Sequence, residues 1–62
     1  MAVRKYFNEP TPDGAASWDV IFLDEKWQPI DETCATRYKI HEYDEHRRLI
    51  GEQSGFLGPI KG

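Results

Sequence analysis

The sequence has 62 residues, of which 39% are hydrophobic and 31% charged, with a formal net charge of −3. A chain of this size forms one small domain, residues 1–62, and is too short for a large core or a water-excluding catalytic cleft. Its acidic balance argues against nonspecific attraction to nucleic acid or to an anionic membrane.

The cysteine content and the apolar runs indicate the compartment. Cys34 is the one cysteine, so no internal disulfide forms, and we expect a small buried residue in a reducing environment. No apolar run approaches the ~20 residues that cross a bilayer, and the first five residues lack the apolar core of a signal peptide. We therefore expect a cytoplasmic protein without a membrane segment.

The chain opens with a predicted edge strand over residues 3–8. Its basic residues Arg4 and Lys5 suit an edge, where charge discourages further pairing. Residues 9–16 then predict a loop, because two prolines remove backbone donors and an Asp-Gly pair favours a turn.

Residues 17–23 carry the strongest strand signal in the chain. Successive side chains alternate between two faces, which hold Trp18, Val20 and Phe22 on one side and Asp19, Ile21 and Leu23 on the other. Apolar side chains on both faces predict a central strand that is covered above and below.

The segment after this strand is less regular. Residues 24–26 predict a hairpin turn, and Pro29 limits the return segment, 27–30, to an edge strand or irregular structure. We expect Trp27 and Ile30 to face the core. Residues 31–35 contain capping residues but leave room for one or two helical turns at most.

Regular alternation resumes from residue 36. One face carries Thr36, Tyr38 and Ile40, and the other carries Arg37, Lys39 and His41. Residues 43–48 then form either a hairpin turn into a last strand over 48–53 or the start of a helix capped by Asp44. We favour the hairpin, because Gly51 suits a bulge and costs ~1 kcal/mol in a helix.

These elements predict a mainly β domain. We expect a small antiparallel sheet or partly open barrel of about four strands, with an α+β alternative that adds one short helix. Phe56 and Leu57, in the tail, are expected to fold back as a lid on the core.

No residue pattern is typical of an enzyme or a metal site. The spacing of the ligand-type residues does not match the close pairs of a structural zinc site: Cys34, His41, Glu42, Asp44 and His46. Neither Ser17 nor Ser54 lies in a glycine-flanked nucleophile turn, and there is no glycine-rich phosphate loop. We therefore expect a non-enzymatic protein with no cofactor and no metal.

The acidic residues suggest a binding function. Residues 11–35 hold six acidic residues against Lys26, a net charge of −5. Such a domain can dock on a basic surface of a larger protein, including one that itself binds nucleic acid, with charge speeding the encounter and a tryptophan anchoring it. The predicted partner-binding residues, here called the acidic block, are Asp19, Asp24, Glu25, Trp27, Asp31 and Glu32.

Size and charge also suggest the kind of protein. Small acidic chains without catalytic groups are typical of the inhibitors and adaptors that phage and other mobile elements direct against host machinery, anti-CRISPR proteins among them. The analogy rests on size and charge alone. It makes an inhibitor or adaptor the predicted function.

The alternative is a small β-barrel that binds single-stranded nucleic acid. Its predicted binding face, here called the basic row, consists of Arg37, Lys39, His41, Arg47 and Arg48, with Tyr43 close by. Glu42, Asp44 and Glu45 lie between these residues and cancel much of their field, so direct nucleic-acid binding is the weaker interpretation.

Overall fold

The computed structural model describes residues 2–57, and its strands form one open antiparallel sheet. The strands are β1 (Arg4–Phe7), β2 (Ser17–Leu23), β3 (Arg37–Tyr43) and β4 (Leu49–Phe56), and their spatial order is the chain order. The mainly β prediction is confirmed. No helix occurs among the described residues, so the α+β alternative is wrong.

The central strand and the last hairpin follow the sequence pattern. β2 spans the predicted residues 17–23 and pairs on both sides. In the last hairpin Glu42 lies opposite Gly51 and Tyr43 opposite Leu49, so β4 carries one extra residue at a bulge. The alternative prediction, a helix capped by Asp44, is therefore wrong. β4 runs three residues beyond the predicted end, because its backbone stays paired as far as Phe56.

Three five-residue turns of one design connect or precede the strands, at residues 11–15, 24–28 and 44–48. In each, a side-chain oxygen of the first residue accepts hydrogen bonds from the backbone N–H groups of the third and fifth residues. Backbone bonds between the first residue and the fourth and fifth residues close the loop. The fourth residue has positive φ in all three: Gly14, Trp27 and Arg47.

The sheet has two unlike faces. The register places Phe7, Trp18, Val20, Phe22, Tyr38 and Ile40 on one side, and Arg4, Tyr6, Asp19, Ile21, Lys39 and His41 on the other. We call these the apolar face, which Leu57 also joins, and the polar face. Among the described residues, Ala15 and Leu23 are the buried apolar ones. On β2, Asp19 and Leu23 are buried on the polar face, whereas Trp18, Val20 and Phe22 are only half-buried on the apolar face. The predicted coverage of β2 on both sides is therefore wrong.

Two glycines of β4 let side chains of β3 lie across it. A Cβ at Gly55 would come within 2.6 Å of the Tyr38 hydroxyl, and one at Gly51 within 3.0 Å of Glu42 Oε1. The Tyr38 ring and the Glu42 carboxylate therefore extend over β4 on the apolar face.

Several local predictions fail for physical reasons. Trp27 is 45% exposed, because its turn holds it at a φ of 63° outside the sheet. Cys34 is exposed in a turn instead of buried. Phe56 ends β4 and is 69% exposed, so it forms no lid. The end of the predicted tail, residues 58–62, lies outside the described residues.

Candidate functional site

The polar face is organised around Asp19, which is fully buried. Oδ2 of its carboxylate accepts hydrogen bonds from Arg4 Nη2 at 2.6 Å and from the Tyr43 hydroxyl at 2.8 Å. His41 Nδ1 lies 3.3 Å from Oδ1, and His41 Nε2 lies 3.1 Å from Oε2 of Glu52. Four side chains from β1, β3 and β4 thus form a network centred on a carboxylate of β2.

This network keeps Asp19 ionised. Burial alone would raise the pKa of Asp19, but hydrogen bonds from Arg4 and Tyr43 outweigh it, and the pKa lies below its usual value. The hydrogen bond to Asp19 raises the pKa of Arg4. The pKa of Tyr43 is also raised, mainly by burial and in addition by the neighbouring Asp19 carboxylate. Asp19 was predicted as a docking charge, and its burial and its ion pair make it a structural residue.

Two further carboxylates of the acidic block, Asp24 and Asp31, accept backbone hydrogen bonds within turns. Asp24 accepts backbone hydrogen bonds from Gln28 and Lys26, which lower its pKa, and Asp31 accepts hydrogen bonds from Thr33, which lower its pKa as well. These carboxylates stay ionised while they hold the backbone. Glu32 Oε1 lies 2.8 Å from Lys5 Nζ.

Two members of the acidic block are open to solvent, Glu25 and Trp27. They share the 24–28 turn with Asp24. The guanidinium of Arg37 lies 4.6 Å from the Trp27 ring centroid, and 4.9 Å from that of Phe56. This aromatic and cationic stack occupies one end of the polar face.

The basic row is largely paired within the chain. Lys39 Nζ lies 3.5 Å from Glu52, which also contacts His41, and Arg48 Nε donates to Asp44 at 3.1 Å. Arg47 lies in the 44–48 turn with its guanidinium 6.0 Å from the Tyr6 ring centroid. The structure therefore distributes these cations among carboxylates and rings and does not align them as one positive track.

The apolar face carries a row of large side chains with no second layer over it. Phe7 and Trp18 stack with ring centroids 4.2 Å apart and an interplanar angle of 17°. Beside them, Val20, Phe22 and Ile40 are each only partly buried. Together with neighbouring side chains they line an open groove of about 360 Å³. The described residues place no second sheet and no helix over it.

A second cleft, of about 330 Å³, lies at the end of the apolar face. Trp18 and Ile40 form its apolar wall, and the loop residues 9–13 border it. Glu42, which is 8% exposed, lines the cleft, and the Gln53 amide lies between it and Asp13, at 3.5 Å and 3.4 Å. Burial and the nearby Asp13 carboxylate raise the pKa of Glu42.

The sequence contains only part of the signal for these surfaces. Alternation identifies the residues of the apolar face, but their pattern is equally that of a buried core. The acidic cleft depends on a loop that brings Asp13 near β3, 29 positions along the chain, and no spacing rule indicates such a contact.

Comparison with known proteins gives no assignment. No protein-family model, curated protein or solved structure matches the chain. Within residues 2–57, no three His, Cys, Asp or Glu side chains are grouped to hold a metal ion. That part of the chain also contains no helix long and apolar enough to cross a membrane.

Proposed function

We propose that the protein is a non-enzymatic interaction module that docks on a larger protein through its apolar face. The observation that carries this proposal is a row of half-buried large side chains on β1, β2 and β3, over which the described residues place no second layer. Large contiguous apolar surfaces on small soluble proteins mark interaction sites. Aromatic residues such as Phe7, Trp18 and Phe22 are also the residue types that dominate binding energy at interfaces.

The acidic residues supply the long-range part of this proposal. Asp24 and Asp31 keep lowered pKa values, so they remain charged at neutral pH although their oxygens serve the turns. Glu25 adds a further exposed charge. A net charge of −3 favours a partner with a basic surface and speeds the encounter more than it tightens the complex.

An inhibitor or adaptor is the kind of module that fits these features. A thin sheet with one apolar side can cover a functional surface of a larger protein without chemistry of its own. A basic, nucleic-acid-binding partner is the class that the charge favours. The exposed thiol of Cys34 supports a reducing compartment such as the cytoplasm.

Affinity capture with face-specific variants tests the proposal. Val20→Thr combined with Ile40→Thr keeps the β-branched shape and removes apolar surface from the apolar face. Ile21→Thr, on the same strand but on the polar face, is the matched control. Tagged wild-type and variant proteins are incubated with lysate after nuclease treatment, and the bound proteins are identified and quantified.

We expect the apolar-face variant to lose at least tenfold of the specifically captured protein, since two lost apolar contacts of about 1 kcal/mol each exceed one factor of ten. Ile21→Thr should retain it. Circular dichroism checks that both variants fold. Equal capture by all three proteins, or loss in the Ile21→Thr control alone, would contradict docking through the apolar face.

A further inference from the structure

The cleft at the end of the apolar face combines an apolar wall with acidic side chains that pair with no cation of residues 2–57. Glu42 is only 8% exposed, and its carboxylate accepts a hydrogen bond from the neutral amide of Gln53 at 3.5 Å. The same amide lies 3.4 Å from Asp13. No Lys, Arg or His within residues 2–57 pairs with either carboxylate.

This arrangement is unusual because buried acids are normally paired. Asp19, on the opposite face of the same sheet, is paired in this way, because Arg4 Nη2 lies 2.6 Å from its Oδ2. Glu42 lies instead in a cleft open to solvent, beside the Trp18 ring and with Glu9 also on the rim. A cation entering the cleft would relieve the repulsion between the Glu42 and Asp13 carboxyl groups and would also contact the Trp18 ring, so both features attract it.

We propose that this cleft receives a lysine or arginine side chain of the docking partner, while apolar residues beside that cation lie on the apolar face. The inference rests on the proposed function and specifies the partner's chemistry: a protein segment with one basic side chain among apolar ones. Charge complementarity selects this occupant, because the described chain supplies the acids and the apolar surface but no cation for the cleft.

A second copy of the chain fits this surface less well. Among the four described strands, the basic residue on this face is Lys5, which lies on the edge strand β1 and is already 2.8 Å from Glu32. A face-to-face dimer would therefore have to break that pair before it could place a cation beside Glu42.

Small probes test the cation site without knowledge of the partner. The ¹⁵N-labelled full chain is titrated with n-butylammonium chloride and, separately, with 1-butanol, which has the same alkyl chain without the charge. We expect saturable shifts at Asp13, Trp18, Glu42 and Gln53, with butylammonium binding about tenfold tighter than butanol at low salt. Higher salt should reduce that advantage.

Two variants and one control link the preference to the cleft. Glu42→Gln removes the buried charge at almost constant volume, and Gln53→Lys places an ammonium group on the strand between the two acids. Both should abolish the preference for butylammonium. Glu52→Gln, on the polar face of the same strand β4, should keep it.

The titration of Glu42 gives an independent readout. Asp13 and Glu9 are the other titratable groups that line the cleft. A bound cation should lower the apparent pKa of the Glu42 carboxyl, followed by ¹³C NMR, and acidification that protonates Glu42 should release the probe.

Several results would overturn the cation site: equal binding of butylammonium and butanol, shifts confined to the polar face, or calcium chloride acting as strongly as butylammonium at equal ionic strength. A concentration-dependent dimer that Ile40→Thr disrupts would assign the face to a second copy and also overturn it. The docking proposal can fail separately from the cation site. That would be the result if the wild-type chain kept its preference for butylammonium while the Val20→Thr, Ile40→Thr variant still captured the same protein. Conversely, normal capture by Glu42→Gln together with no probe preference would reject only the cation site.

Discussion

Asp19, on β2, is joined through its carboxylate to β1 and β3 directly and to β4 through His41. Arg4 on β1 and Tyr43 on β3 both donate to Oδ2, while His41 joins it to Glu52 on β4. A buried charge that loses a partner is costly, because the remaining charge is neither solvated nor paired. The polar face therefore holds its strands by this network in place of an apolar core.

The Tyr43 hydroxyl allows this network to be measured with a minimal change. Tyr43→Phe removes one hydrogen bond to an ionised acceptor, so we expect the free energy of unfolding to fall by about 1.5–3 kcal/mol. Tyr6→Phe removes an exposed hydroxyl from the same face and should change it by less than about 0.5 kcal/mol. Urea unfolding measures both. Equal losses in the two variants would show that the hydrogen bond from Tyr43 to Asp19 contributes no extra stability.

The pH dependence of stability follows from the aspartates. Asp19, Asp24, Asp31 and Asp44 all have lowered pKa values in the folded chain, below about 3.9 for the unfolded one. A lowered folded pKa stabilises the fold above the unfolded pKa, and this contribution disappears as the pH falls through the folded pKa. We therefore expect the urea midpoint to be flat near neutral pH and to drop below about pH 4.

Asp19→Asn separates the main contributor from the others. The variant should be much less stable than wild type near neutral pH, and the gap should narrow in acid, where wild-type Asp19 also becomes neutral. A gap that stays constant down to about pH 2 would show that Asp19 acts through its shape and not through its charge.

At the scale of elements, the turns explain where the chain bends. Each begins with a Thr or Asp whose side chain binds two backbone N–H groups, and each has its fourth residue at positive φ. Gly14 takes this conformation without a Cβ, whereas Trp27 and Arg47 carry one, at φ values of 63° and 66°. Left-handed backbone costs a non-glycine residue roughly 1–2 kcal/mol.

Arg47 offers a clean test of this strain. Arg47→Gly should be about 1 kcal/mol more stable than Arg47→Ala, because both lose the side chain and only glycine loses the Cβ. Thermal or urea unfolding of the two variants gives the difference. If alanine matches or exceeds glycine, the residue does not hold a left-handed conformation in solution.

The sequence predicts the strands well and the coverage of the sheet poorly. Alternation at residues 17–23 defines β2, and Gly51 marks the bulge next to Ile50. The same alternation cannot say whether anything covers Trp18 and Phe22, since periodicity reports which side chains share a face and not what lies above them.

The predicted site residues show the same limit. Nothing in the sequence distinguishes Asp19 from the exposed acidic residues. Its burial depends on Arg4 and Tyr43, which lie 15 and 24 positions away. The turn at Trp27 has no glycine at the position with positive φ, so the sequence does not indicate this conformation. These contacts arise from tertiary pairing, so local sequence patterns do not contain them.

We propose that the single-layer sheet binds a larger protein through its apolar side, and the two faces can be compared within one molecule. Two of the three phenylalanines, Phe22 and Phe56, lie on opposite faces of the same sheet; Phe22 is half-buried and Phe56 is exposed. Replacing each in turn with p-benzoylphenylalanine therefore places the same photoreactive group on the apolar face or on the polar face.

Photo-crosslinking with these two proteins in lysate shows which face of the sheet contacts the partner. Phe56 is 69% exposed, so random collisions favour the polar-face probe. We predict a discrete crosslinked species from the probe at position 22, which excess unlabelled wild-type protein removes, and only diffuse labelling from position 56. A competed, discrete adduct from position 56 with none from position 22 would contradict the assignment of the apolar face.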